Sequence, residues 1–187
     1  LGLAEFTLSR KDPAYVGLAK EIHKAQEALM DGKDPVTVKP ELAEIMDEIH
    51  VQFPQAANDN IGFGSTIFAV KPGDGSAREQ AASCQKVLGG WANIANEYAT
   101  KRYRSNLINW GMLPFVIPDG DLPFTNHDYL FFPGIRKAVE EKAAEITGYV
   151  VDANGLKPFT VTLGELTDEE RQIILKGCLI NYNRVEK

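Results

Sequence analysis

Gly73, Gly75, Ser76 and Arg78 lie close together in the run Gly73-Asp74-Gly75-Ser76-Ala77-Arg78-Glu79. Residues of these types at this spacing suit the binding of an anion. Glycine lets a backbone approach a ligand closely. If a helix starts just beyond, its first-turn N–H groups have no internal partners and its dipole adds positive potential. Arg78 would offer a carboxylate a two-pronged grip, and the Ser76 hydroxyl would sit in a field that lowers the cost of ionising it. Spacing alone favours a plainer alternative, in which Ser76 caps the helix and Arg78 is a solvated first-turn residue. The run lacks the third glycine of a dinucleotide fingerprint and the Gly-Lys-Ser/Thr of a P-loop.

The elements around this run would position it. Residues 65–70, Ser-Thr-Ile-Phe-Ala-Val, form a β-rich stretch short enough for a buried strand. A tight loop follows at 71–76 and a helix at 77–88. Residues 91–95 suit a second strand, and 97–109 a further helix closed by Gly111 and Pro114. Leu130-Phe131-Phe132 precedes a Pro-Gly break, and 135–146 reads as a mixed-charge helix. Residues 149–151 and 159–163 flank Asn154-Gly155, a hairpin signal. Thr167 with Glu170 makes a capping box for a last helix carrying Ile173, Ile174 and Leu175. Upstream, Asp12 and Pro13 open a helix that stops at Asp31-Gly32. A second helix begins near Pro40, with Leu42, Ile45, Met46 and Ile49 on one face. These two helices are expected to pair antiparallel across the polar linker 31–38. The whole reads as α/β with a mixed sheet and flanking helices.

Composition narrows the function. The chain has 187 residues and a formal charge of −6, and an acidic balance disfavours nucleic acid, whose phosphates need a basic footprint. It leaves room for a small anion held by a few local arginines. Cys84 and Cys178 are far apart and form no C-x-x-C pair, so a reducing, cytoplasmic setting is expected and two buried thiols are the default. Two cysteines alone cannot supply the three or four ligands of an iron–sulfur or zinc site, so no cofactor is expected on this chain. No apolar run is long enough to span a bilayer. The start, Leu1-Gly2-Leu3-Ala4, lacks an initiator Met and a basic leader, which suggests a piece of a longer polypeptide.

Three segments carry a resemblance. Gly73-Asp74-Gly75-Ser76-Ala77-Arg78-Glu79-Gln80-Ala81-Ala82 resembles the G-x-G-S-S-R-E-H-A-A signature of the aconitase and isopropylmalate isomerase family. Arg104-Ser105-Asn106-Leu107, continuing to Pro114, is similar to that family's R-S-N-L-x-N-x-G-x-L-P segment. The end of the chain, 167–181, is similar to its terminal helix. The resemblance implies the carboxyl-terminal swivel domain, a swivelling β/β/α fold. The opening residues are closer to the divergent bacterial hydratase branch. By the same resemblance, Ser76 is a serine base and Arg78 a carboxylate-binding arginine in reversible dehydration of a hydroxy-carboxylic acid. The [4Fe-4S] cluster of such an enzyme is implied on other domains of the same polypeptide, held by three cysteines, and those domains are the implied partners. Ala77 and Gln80 depart from the signature, which puts citrate or isocitrate in doubt as substrate. The same departures motivate an alternative: a catalytically inactive carboxylate-binding or interaction domain that retains the fold. A free-standing small subunit and an RNA-binding regulator are further readings, the last disfavoured by the acidic charge.

Gly75, Ala77, Arg104 and Asn106 join Ser76 and Arg78 as candidate site residues, with Arg104 and Asn106 either lining the cleft or positioning the loop. Arg10 is a weaker candidate for a second carboxylate contact. His23 and His50 are assigned to helix surfaces, His127 to a loop, and Phe131, Phe132, Trp91 and Trp110 to the core. Residues 1–60 are expected to form a segment with the helical pair, part of or packed on the swivel domain at 61–187.

Overall fold

The computed structural model describes Ala4 and residues 12–184; Arg10 lies outside them. Helix α1 (Pro13–Met30) begins where the Asp12 carboxylate accepts from the amides of Ala14 and Tyr15 at 3.0 and 3.3 Å, with Pro13 in the first turn. It ends at Asp31, followed by Gly32 at φ 72°. After a 3-10 turn at Pro35–Thr37 comes α2 (Leu42–Gln52), which buries Leu42, Met46 and Ile49.

Three parallel strands follow, β1 (Ser65–Ala69), β2 (Gly90–Ala95) and β3 (Leu113–Val116), in the order β1-β2-β3. The crossovers are α3 (Arg78–Val87) and α4 (Lys101–Asn109), which pack side by side. An antiparallel sheet of β4 (Tyr129–Phe131), β5 (Ile146–Asp152) and β6 (Gly155–Val161) follows in chain order, with α5 (Ile135–Glu140) between β4 and β5. The inner faces of the two sheets meet in the main core, where Phe115 stacks on Phe132 at 4.7 Å and Phe159 stands edge-on to Phe132. Helices α6 (Asp168–Leu175) and α7 (Leu179–Tyr182) complete the chain. The layers are antiparallel sheet, parallel sheet, helices: a β/β/α architecture.

Several expectations are corrected. The α/β class with both strand senses holds, and its strands divide into two sheets, one all parallel and one all antiparallel, joined among the described residues by an antiparallel bridge from Val116 to Thr162 with N···O distances of 2.7 and 2.9 Å. β1 is half-buried throughout, because it is the outer strand of its sheet and has a neighbour on one side only. The helix expected over 135–146 stops at Glu140, because residues from Ile146 pair with β6 across the Asn154-Gly155 turn. The helix expected from Glu97 starts at Lys101, since the amides of Glu97 and Ala99 donate instead to the carbonyls of Val70 and Pro72.

The early helices do not form a self-contained antiparallel pair. α1 packs Ala19 against Cys84 of α3 and Leu88 at its end, while α2 sets Met46 and Ile49 against Val151 on the antiparallel sheet. Each apolar stripe has found a separate partner. The fastening between them is polar: buried Lys39 meets Glu21 at 2.7 Å and Glu41 at 3.6 Å.

Candidate functional site

The glycine run connects the carboxyl end of β1 to the start of α3. In open parallel sheets this end of a strand is where ligands bind. Ala77 is the N-cap of α3, and no side chain caps it. Ser76 is exposed and does not act as the cap, so the plainer alternative for that residue is overturned. The first-turn amides of this ten-residue helix therefore have no side-chain acceptor among the described residues.

Arg78 is not a loosely solvated residue either. It is half-buried, and its Nε donates to the Gly73 carbonyl at 3.0 Å. The same oxygen accepts from the Thr100 hydroxyl at 3.2 Å, and Thr100 Oγ1 in turn caps α4 by accepting from the Tyr103 amide. With Val70 and Pro72 also bonded to Glu97 and Ala99, the first half of the loop is fastened to the segment that leads into α4. Gly73 has φ 97°, and a Cβ there would overlap the Tyr103 side chain. Glycine is required at that position twice over, by conformation and by space. Gly75 differs: nothing lies within 4 Å of where its Cβ would be, so its surroundings are open.

Beneath the loop is a buried polar stack. Asn93 Nδ2 donates to Tyr103 Oη at 2.8 Å, and Tyr98 donates to the Phe115 carbonyl at 2.9 Å. Burial pushes the pKa of both phenols up, so both remain protonated at neutral pH and can act as props but not bases. Asn93 Oδ1 has no hydrogen-bond partner among the described residues.

Arg104 faces away from this duty. Its Nη2 donates to the carbonyls of Leu163 and Glu165 at 3.0 and 2.7 Å, and Nη1 lies 3.9 Å from Glu170. It ties α4 to the approach to α6. Asn106 is half-buried on the same helix. The early histidines lie on helix surfaces as expected: His23 is half-buried near Glu27, and exposed His50 meets the Ala56 carbonyl. His127 occupies a left-handed conformation in an exposed loop.

Trp91, expected in the core, is 40% exposed, with its ring over Gly62 and Gly64. It lines an apolar cavity of about 590 Å³ between α1, α2 and the amino ends of the parallel strands. A second cavity, of about 790 Å³, adjoins it near Thr66 and His127. Neither contains residues of the glycine run, which stands on an open surface. Thr100 and Tyr103 are the site-supporting residues that sequence reasoning passed over. The signal was present: a Thr placed before a helix is an N-cap candidate, once the helix is taken to begin at Lys101.

Fold and site together define an α/β domain that presents an uncapped helix start and a tethered guanidinium at the end of a parallel strand. Residues 46–120 match the family described as the aconitase C-terminal domain. That segment spans the glycine run and α4 and is similar to the carboxyl-terminal domain of aconitases. Among solved structures, 3-isopropylmalate dehydratase from Methanocaldococcus jannaschii is similar at 24% identity, covering 72% of this chain and 73% of that one, with a TM-score of 0.38. No curated protein sequence matched the chain.

Proposed function

We propose that this chain is the swivel domain of a hydro-lyase, supplying a serine base and a carboxylate-binding arginine for reversible hydration and dehydration of a small hydroxy-carboxylic acid. The observation that carries the reading is the tether on Arg78. With Nε committed to Gly73, the guanidinium keeps two Nη groups without partners among the described residues, beside uncapped amides of α3. A carboxylate placed there gains charge-assisted hydrogen bonds from both sources. Ser76 stands exposed at the same helix start, where positive potential stabilises an alkoxide. The alkoxide would take the proton from the carbon next to the bound carboxylate.

The cluster-bearing domains of the parent polypeptide belong to this reading as partners. Among the described residues no group of three or more His, Cys, Asp or Glu side chains could hold a metal, and Cys84 is buried against Ala19. The reading therefore assigns a [4Fe-4S] group to those other domains. The open surface around Gly75 is where those domains would close over a substrate.

Turnover of the parent with hydroxy-dicarboxylic acids tests the reading. Ser76→Ala is expected to lower the rate by about 10²–10⁴-fold with the fold intact. Unchanged turnover in that variant removes Ser76 as the base. A parent that binds carboxylates through Arg78 and shows no hydration supports the inactive, ligand-binding alternative, which the absence of a protein hydrogen bond to Ser76 favours among the described residues.

A further inference from the structure

We propose that Thr100 is a positioning residue for the carboxylate clamp, holding Arg78 so that its outer Nη1–Nη2 edge, rather than its Nε side, meets the ligand. This rests on the carboxylate-binding reading of the same site. Neither Thr100 nor its segment belongs to the glycine run. It reaches the run only through space.

The geometry centres on one carbonyl. The Gly73 oxygen receives Arg78 Nε at 3.0 Å and Thr100 Oγ1 at 3.2 Å. A carbonyl has two lone pairs, and both are used. Its direction is set by the φ of 97° at Gly73 and by the Tyr103 side chain packed where a Cβ would go. Thr100 is itself held, because its hydroxyl oxygen caps Tyr103 N at 3.2 Å. The carbonyl is thus gripped from the α4 side before Arg78 binds it.

The consequence for recognition is specific. A guanidinium can take a carboxylate side-on, through Nε and one Nη, or end-on, through both Nη groups. Committing Nε to Gly73 removes the first mode and leaves the second. Losing the Thr100 hydroxyl frees the carbonyl to turn and lets Arg78 sample both modes. Ground-state binding then weakens.

The test uses the 187-residue chain labelled with ¹⁵N, reading the Arg78 Nε–H signal and titrating with malate as the hydroxy-dicarboxylate probe. In the wild type, the Nε–H is expected to be slow to exchange, and malate is expected to shift the amides of residues 75–78. Thr100→Val should speed Nε–H exchange and weaken malate by about three- to tenfold, the range of one net hydrogen bond. Thr100→Ser should restore both. Because valine also removes the α4 cap, Thr100→Gly serves as the second variant. Glycine is tolerated at an N-cap at little cost yet has no hydroxyl to donate, so it should reproduce the valine effect with α4 intact. Unchanged Nε–H exchange in Thr100→Val and Thr100→Gly overturns the proposal, as does failure of serine to restore it. If wild-type chain shows no malate shifts, the carboxylate reading fails, while the exchange measurements still decide whether Thr100 positions Arg78.

Discussion

Gly73 and Gly75 are two residues apart and under opposite constraints, which makes them a sharp pair for mutation. A side chain at Gly73 meets both a left-handed backbone and the Tyr103 side chain. Each is unfavourable, and the strained backbone alone costs about 1 kcal/mol or more. Gly73→Ala is therefore expected to lower the urea midpoint clearly and to disturb the Arg78 tether. Gly75→Ala meets open space and should stay within about 0.5 kcal/mol of wild type. Under the proposed function it should nevertheless weaken carboxylate binding, since the methyl group narrows the ligand's approach to the backbone. Denaturation and malate titration of the two variants decide this, and equal stability for both would contradict the account of Gly73. Arg104 makes a further residue-scale case. Its guanidinium serves the carbonyls of Leu163 and Glu165, the first part-buried and the second exposed, so Arg104→Met should destabilise by about 0.5–1.5 kcal/mol through the lost hydrogen bonds. If the fold tolerates Arg104→Met and only ligand binding falls, Arg104 belongs with the ligand instead.

At the scale of elements, the joint between α1 and α2 is a charge contact with a definite pH signature. The hydrogen bond from Lys39 holds the Glu21 carboxyl below its usual range, and the same bond holds the Lys39 ammonium above its own. For a carboxylate whose folded pKa is depressed, the stabilisation is present above the unfolded value, about 4, and fades as pH falls through the folded one. For the lysine it is full below its unfolded value and fades as pH rises past the folded one. Stability should therefore decline at both extremes, modestly at the acid end because Glu21 is exposed. Lys39→Met should flatten the acid limb when unfolding is followed against pH; an unaltered limb would show that the pair contributes nothing. The caps and turns of these elements were legible in sequence because each is a local bargain: Asp12 with Pro13, Thr167 with Glu170, Asn154 with Gly155. What escaped was decided by distant partners. Ile146, expected at the end of a helix, instead opens a strand because β6 comes back and sets Val161 opposite it. The glycine run itself was plain, and so was its place before a helix. Its anchoring was hidden, since Thr100 lies twenty-seven positions beyond Gly73 and nothing in periodicity joins them.

For the molecule as a whole, the open matter is whether residues 1–60 are an appendage or part of the folding unit. The contacts argue for the second. α2 covers the antiparallel sheet by setting Met46 and Ile49 beside Val151, with half-buried Phe53, Phe131 and Leu156 around them. Phe53 also stands edge-on to Phe131 and Tyr149 at 5.3 and 5.4 Å. Burying a side chain such as Met or Ile stabilises by about 1.5–3 kcal/mol, so these few residues together match a large part of a domain's net stability of about 5–15 kcal/mol. α1 adds Ala19 against Cys84 on α3, the helix that carries Arg78, and against Leu88 just past its end. We therefore expect the 187-residue chain to unfold in one transition, with near- and far-ultraviolet dichroism coincident. A fragment of residues 61–187 should lose several kcal/mol and associate through the bared face of the antiparallel sheet, which light scattering at rising concentration would register. Should that fragment stay monomeric with the midpoint of the full chain, the early helices are an attachment after all. In that case α1 does not support the helix whose start forms the candidate site.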